Sequence, residues 1–348
     1  MILAIESSCD ESALAVFDPK RGMVVEKISS QIALHSAYGG VVPDLASREH
    51  LNNFPALLEE LGLDEYSDLL THVMVTYGPG LAGCLSMGGI LAKSFAFAYD
   101  LPVFGVNHLR GHAWSPFISL HESDPEAFTT NLKAQLPHLG LIVSGGNTVL
   151  FEIDNYLSIN ILAETVDDAA GEALDKGGKL LGLAYPAGPR IENLANQGDK
   201  DFIEFPKAMA NHKDKRFSFS GLKTSLRYKL DKLSETEIEK HLSSICASYQ
   251  EAIFYQLTIK TSQLIKQSKS KYKSLGLSGG VANNMTLKNK FKQLSQNYNI
   301  PFYSSLPKHS GDNAGMIAFA GFIEFEHLIK ISDSTLVKIE PSLSLMNE

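Results

Sequence analysis

Two histidines four residues apart, His108 and His112 in N-H-L-R-G-H-A-W-S-P (Asn107–Pro116), are the side chains in this sequence whose spacing best suits chemistry. In a helix, residues i and i+4 share a face, so both imidazoles can turn toward one metal ion. The same spacing also suits two helix-surface or capping residues, and the pair alone leaves both readings open. A third group of suitable type is Asp312 in H-S-G-D-N-A-G. Its plain reading is the N-cap of the helix that follows. Its functional reading is a carboxylate ligand brought from the other half of the chain to meet His108 and His112. The pair also has the spacing of the zinc-protease motif H-E-x-x-H. That chemistry needs a glutamate base directly after the first histidine, and Leu109 stands there.

The elements that position these groups read as α/β. Ile2–Glu6 and Ala13–Phe17 are short apolar strands joined by the polar S-S-C-D-E-S, a layout suited to a phosphate-binding hairpin or to a plain solvent turn. A helix runs from Ser47 to Leu61. Thr71–Thr76 is a buried strand, Y-G-P-G follows it, and Leu81–Tyr99 is an apolar helix with small residues for close packing. Pro102–Val106 is the next strand and delivers Asn107 and both histidines at its C-terminal end, the edge of a parallel sheet where ligands bind.

A second strand–turn–strand, Leu139–Val143, S-G-G-N and Thr148–Ile153, repeats the first in layout and points to an internal duplication. Two such tips facing across a cleft would grip a nucleotide from both lobes. Asp167–Leu183 suggests a helix. Its acid Asp175, a turn or more inside, is a candidate to contact a ribose or base. Glu235–Lys266 is a long structural helix. Leu275–Leu277 is a strand ending in S-G-G-V-A-N-N, where Asn284 can cap the next helix or contact a ligand. Pro301–Ser304 is a further strand.

At 348 residues the chain suits two lobes. The apolar stretch Leu81–Leu101 is interrupted by three glycines, Lys93 and Asp100, so it does not read as a membrane span, and Met1–Glu6 does not resemble a signal peptide. Three scattered cysteines fit free thiols in a reducing, cytoplasmic setting. A net charge of −8 argues against nucleic-acid binding by bulk charge. It leaves room for local patches. Lys207, Lys213, Lys215, Arg216, Lys223 and Arg227 form one basic cluster in sequence, and Lys266, Lys269, Lys271 and Lys273 another; the plain reading of both is a solvated face.

Taken together, I-E-S-S-C-D-E-S, G-G-V-V-P-D-L-A-S-R-x-H, Y-G-P-G-L, N-H-x-x-G-H, V-S-G-G, D-D-A-A-G-E-A-x-D-K, F-S-F-S-G-L-K-T, S-G-G-V-A-N-N and D-N-A-x-M-I-A resemble the TsaD family (also called YgjD or Gcp) in order, from residue 2 to about 320. The resemblance implies the ASKHA fold of actin, Hsp70 and sugar kinases, with a first lobe over residues 1–107, joined by 325–348, and a second over 108–324 with a helical insertion at about 190–265. It implies transfer of the threonylcarbamoyl group from threonylcarbamoyl-AMP to N6 of the adenosine 3′-adjacent to the anticodon, in tRNAs reading codons that begin with adenine. By motif, His108, His112 and Asp312 would hold one divalent metal, Fe2+ or else Zn2+. Ile142, Val143, Ser144, Gly145, Gly146, Asp175, Gly188 and Asn284 would bind the adenylate or ATP, and Ser8–Glu11 would line the first loop. Asp10 and Glu11 are the candidate general bases.

The implied partners are tRNA, a degenerate TsaB-like paralogue and a small TsaE-like P-loop ATPase, with no membrane. Arg110, Asn147, Ala187 and Gly311 depart from the usual pattern of the family. The rival readings are a small-molecule kinase of the same fold and the degenerate paralogue itself. A kinase has no reason to keep two histidines and a distant aspartate on one metal, and the paralogue lacks them.

Overall fold

Two sheets with one strand order between them organise the chain. The computed structural model describes residues 1–206, 216–268, 271–331 and 338–346; Lys207, Lys213, Lys215 and Lys269 of the basic clusters lie outside the described residues. The first sheet is built from β1 (Ile2–Glu6), β2 (Glu11–Asp18), β3 (Gly22–Ser30), β4 (His72–Gly78) and β5 (Val103–Asn107). The second is built from β6 (His138–Val143), β7 (Thr148–Ile153), β8 (Ile159–Glu164), β9 (Ser274–Ser278) and β10 (Phe302–Ser304); the short β11 (Ile329–Lys330) joins the edge of the first. The orders are β11-β5-β4-β1-β2-β3 and β10-β9-β6-β7-β8. In each, an antiparallel three-strand meander is followed by a parallel neighbour to its first strand. The duplication legible in the two polar hairpins is therefore a duplication of sheet topology.

The helices, in chain order, are α1 (Ile32–Ser36), α2 (Pro43–Leu61), α3 (Ala82–Tyr99), α4 (His108–Trp114), α5 (Ile118–Ser123), α6 (Phe128–Ala134), α7 (Ala170–Leu180), α8 (Gly188–Ala195), α9 (Ser220–Leu230), α10 (Glu235–Gln267), α11 (Met285–Asn297) and α12 (Ala314–Ile323). Strands β1, β2 and β4 are buried almost end to end. A strand covered on both faces reads as a continuous apolar run, as Ile2–Ile5 does. On one face Phe54, Leu57, Leu61 and Ala92 of α2 and α3 pack on Leu3, Ile5, Val73 and Val75. On the other, Phe319 of α12 meets Phe17 edge-on at 6.1 Å. Strands β3 and β8 escaped the sequence reading. Both are outer strands with many exposed or half-exposed positions, so neither shows an apolar run or a clean alternation.

The chain divides into one unit of 1–133 with 304–348 and another of 134–303. This moves the expected boundary from 107/108 to 133/134. The reason is visible in α4 and α12, which pack on each other and on the first sheet. His108, His112 and Asp312 consequently belong to the same unit, and Asp312 is not brought from the other half. Nor is Asp312 the N-cap: the Asn313 side chain accepts from Met316 N at 2.8 Å and caps α12. The carboxylate one residue earlier is left for other work.

Candidate functional site

Three parallel strands end at the histidines. β1 and β4 pair in parallel, β4 and β5 likewise, and the C-terminal ends of the three carry Glu6, Thr76 and Asn107. Asn107 caps α4 by accepting from Leu109 N at 2.9 Å, which starts a helix turn immediately after the strand. His108 and His112 then fall on one face, with ring centroids 4.8 Å apart and planes at 87°. Gly111 lies between them because α12 comes close. A Cβ there would meet Met316 Cγ at 3.0 Å and Ile317 Cδ1 at 3.1 Å. That close approach sets Asp312 opposite the pair.

His112 Nε2 lies 3.1 Å and His108 Nε2 3.5 Å from Asp312 Oδ1. One donor atom from each of the three residues lies within 4.8 Å of the others. Behind His108, its Nδ1 is 3.2 Å from Glu6 Oε2 and 3.2 Å from Ser8 Oγ. Glu6 is fully buried and is itself held by Thr76 Oγ1 and Ser8 N. A carboxylate on the far nitrogen of an imidazole fixes the ring and its tautomer and makes the near nitrogen a better ligand. The sequence reading missed Glu6 in this role. Its signal was an acid closing an otherwise apolar strand, I-L-A-I-E.

The electrostatics point the same way. Burial alone would lower the His108 imidazole, but Asp312 and Glu6 outweigh it and raise it to about 9. Burial and the charge on His108 lower His112. Burial opposes ionisation of Asp312, yet His108 and His112 hold its carboxyl below the usual range. The carboxylates that retain a proton on His108 would equally stabilise a cation between the rings. The residues present fit a metal ion. They offer two imidazoles and one carboxylate, a buried Glu6 that braces His108 from behind, and an Asp312 side chain that keeps 21% exposure and so leaves one side open.

Glu11 opens strand β2 in this same unit, and Asp10 directly precedes it. Burial first, then Asp10 and Asp312, push the Glu11 carboxyl well above the usual carboxylate range. The hairpin carrying them is packed tightly. Leu81 N donates to Ser8 O at 2.8 Å, and a Cβ at Gly80 or Gly88 would collide with Ser8 or Ser7. Gly80 of Y-G-P-G-L and Gly88 of α3 serve that fit. Arg110 points away from the pair: Nη1 is 2.9 Å from Glu324 Oε1, and Nε donates to Leu345 O at 3.2 Å. Trp114 Nε1 donates to the same Glu324 at 2.6 Å. The departure at 110 is thus accommodated by a buried ion pair on the reverse face of α4.

The other candidates lie in the second unit. Ile142 and Val143 are fully buried in β6. After them Ser144 O accepts from Gly171 N at 3.2 Å, while Gly145 and Gly146 are exposed with no neighbour where a Cβ would sit. Asp175 accepts from Ala187 N at 2.7 Å, which ties α7 to the start of α8 at Gly188. Asn284 has its side chain engaged. It caps α11 through Leu287 N at 3.1 Å and donates to Gln250 at 2.8 Å, so the capping reading holds. The tip Gly145-Gly146 is the part of this group that presents open backbone. Gly311 is exposed and a Cβ there would meet nothing within 4 Å, so the departure at this position touches no neighbour.

The comparisons agree with this architecture. A family model described as TsaD, tRNA N6-adenosine threonylcarbamoyltransferase, matches residues 22–319. Curated proteins named tRNA N6-adenosine threonylcarbamoyltransferase are similar along their length. The one from Methylobacillus flagellatus is 39% identical over 100% of this chain and 99% of its own. The one from Carboxydothermus hydrogenoformans is 41% identical over 92% and 91%. That from Anaeromyxobacter sp. is 43% identical over 92% and 93%. Among solved structures, HypF from T. kodakarensis gives a TM-score of 0.58 at 14% identity over 93% of this chain and 47% of its own. The Clostridium difficile activator of 2-hydroxyisocaproyl-CoA dehydratase with bound ADPNP gives 0.52 at 14% over 93% and 95%. These two share the ASKHA fold.

Proposed function

The chain belongs to the TsaD family of tRNA N6-adenosine threonylcarbamoyltransferases, and from that premise we propose how its residues carry out the transfer. The enzyme moves a threonylcarbamoyl group onto N6 of an adenosine in tRNA. The acyl donor is threonylcarbamoyl-AMP, and the acceptor is the adenosine 3′-adjacent to the anticodon in tRNAs reading codons that begin with adenine. The N6 nitrogen attacks the carbamoyl carbon, the bond from that carbon to the phosphate oxygen breaks, AMP leaves, and the nitrogen gives up a proton. The donor arrives activated, so no serine or cysteine nucleophile is required.

The observation that carries the reading is the convergence of His108, His112 and Asp312 with Glu6 locked behind His108. These three side chains would hold one divalent ion, Fe2+ or Zn2+, which supplies Lewis acidity and a template for substrate oxygens. The exposed Gly145-Gly146 backbone at the end of β6 offers N–H groups to the phosphate, and Asp175 and Gly188 shape the adjoining wall. Asp10 and Glu11, beside each other at the start of β2, are the carboxylates from which the base for the N6 proton is drawn. Family membership does not favour the kinase reading.

A helper assembly of a TsaB-like paralogue and a TsaE-like ATPase completes the activity. It is supported by the exposed Leu51 on α2 and Ile90 on α3, and by Phe97, which is 94% exposed on α3. Among the described residues no helix is long and apolar enough to cross a membrane. The tRNA substrate sets the cytoplasm as the compartment. The test supplies labelled threonine, bicarbonate, ATP, tRNA and the adenylate-making enzyme, with and without the two helpers. Labelled tRNA is expected from the complete set, with little from this chain alone. No label from the complete set with metal present would refute the assignment.

A further inference from the structure

Helix α9 differs from the segments of this acidic protein whose cations are offset by nearby carboxylates. Elsewhere Lys176 pairs with Asp168 and Glu172, Lys271 with Glu152, Lys290 with Glu251 and Arg110 with Glu324. The eleven residues of α9, S-G-L-K-T-S-L-R-Y-K-L, include no acid. Leu222 and Leu226 are its buried face. Lys223, Thr224, Arg227 and Tyr228 are exposed, and Tyr228 is 65% exposed. Lys223 and Arg227 are one turn apart on one face. Among the described residues no carboxylate lies within ion-pair distance of either, Asp231 of the following turn included.

The helix is also held rigidly. The Asp167 carboxylate accepts from Ser218 Oγ at 2.6 Å, Ser220 Oγ at 2.7 Å, Phe219 N at 2.8 Å and Ser220 N at 3.2 Å. Asp167 opens D-D-A-A-G-E-A, the segment that runs into α7 and Asp175, so α9 is fixed to the element carrying a candidate substrate residue. Gly221 lies in the first turn of α9 with a backbone that is not left-handed, and a Cβ there would meet nothing within 4 Å, so the surface beside the two cations is open.

We propose that the solvent face of α9, formed by Lys223, Arg227 and Tyr228 beside Gly221, holds the phosphate backbone of the substrate tRNA. The two cations engage phosphates and the tyrosine ring offers a face to an unpaired base. The net charge of −8 makes a small local patch, rather than bulk attraction, the means of capture. The inference rests on tRNA being the substrate and adds where it is gripped.

The test uses the full-length chain, alone and in the complete assembly, with unmodified tRNA transcript titrated at several salt concentrations. Lys223→Gln/Arg227→Gln is compared with the parent and with a control pair, Lys20→Gln/Lys200→Gln, exposed elsewhere. The α9 pair should weaken binding about tenfold or more at physiological salt and reduce the salt slope by about 2. The control pair should do neither. In the modification reaction the KM for tRNA should rise with little change in turnover at saturating tRNA. Unchanged affinity and slope would overturn the proposal, as would a parent that fails to bind tRNA even at low salt. So would a defect confined to assembly with the helper proteins, since the face would then serve a protein. A parent that modifies tRNA while the variant keeps its KM refutes this surface and leaves the assigned reaction standing.

Discussion

The two hairpin tips, Ser7–Asp10 in the first unit and Ser144–Asn147 in the second, occupy equivalent places in sheets of the same order and have opposite surfaces. In the first, Ser7, Ser8 and Asp10 are buried and hydrogen bonds from side chains close the loop. In the second, Gly145 and Gly146 are exposed and leave open backbone. One topology thus supports two chemistries. The first unit concentrates buried charge around His108, His112 and Asp312. The second offers neutral N–H groups. Buried charge is costly unless every member is paired, so the first site is rigid and intolerant of change. A glycine tip depends only on keeping its backbone uncovered.

Breaking the buried charge should have the largest effect. Arg110→Ala leaves Glu324 facing Trp114 without its cation and should cost about 3–5 kcal/mol. Urea unfolding reads this, and a loss below about 1 kcal/mol would show that the pair is not the strut inferred here. Glu6→Gln keeps the shape but removes the charge behind His108. Metal affinity should fall about 10–100-fold, measured by competition with a chelator, while the urea midpoint changes less than in Arg110→Ala.

The second unit has its own buried histidine, and acid should expose it. His138 lies inside β6, where burial lowers its imidazole to about 3, with Nδ1 2.7 Å from Ser274 Oγ. The folded ring stays neutral down to that pH, whereas the unfolded ring takes a proton below about 6.5. The unfolded state therefore binds more protons between those values. This contribution is fully present above pH 6.5 and shrinks as pH falls toward 3. At pH 5 the parent should have lost about 2 kcal/mol from this group, and His138→Gln should lose correspondingly less. Equal losses in both would remove His138 from the account.

The smallest stability effect belongs to the glycine tip. Gly145→Ala should change stability by less than about 0.5 kcal/mol, because a Cβ there meets nothing. It should nonetheless raise the KM for the adenylate donor several-fold. An unchanged KM would mean the tip does not touch substrate.

The sequence showed much of this, for reasons that differ by residue. Buried strands such as Ile2–Glu6 and Leu139–Val143 announce themselves as apolar runs. The i, i+4 spacing is enough to put His108 and His112 on one helix face. Glu6 was hidden because its role depends on parallel pairing with β4 and on a histidine about a hundred residues away. The cap falls one position after Asp312, since Asp312 and Asn313 are equally good caps by type and only the backbone path decides between them. The unit boundary was misplaced because α4 and α12 pack across about two hundred residues of sequence, which local patterning does not reveal. Asn284 was legible both as a cap and as a ligand contact, and its hydrogen bonds to Leu287 N and Gln250 show the cap.

We propose that His108, His112 and Asp312 hold a divalent ion on which transfer to tRNA depends. The direct measurement is elemental analysis of protein purified anaerobically without chelator, run beside the complete modification reaction, for the parent and for His108→Ala, His112→Ala and Asp312→Ala. About one equivalent of a single transition metal is expected in the parent, with near-complete loss of both metal and tRNA product in all three variants and folding intact by circular dichroism. Variants that shed the metal yet modify tRNA at the parental rate, or that keep the metal with one ligand gone, would contradict it.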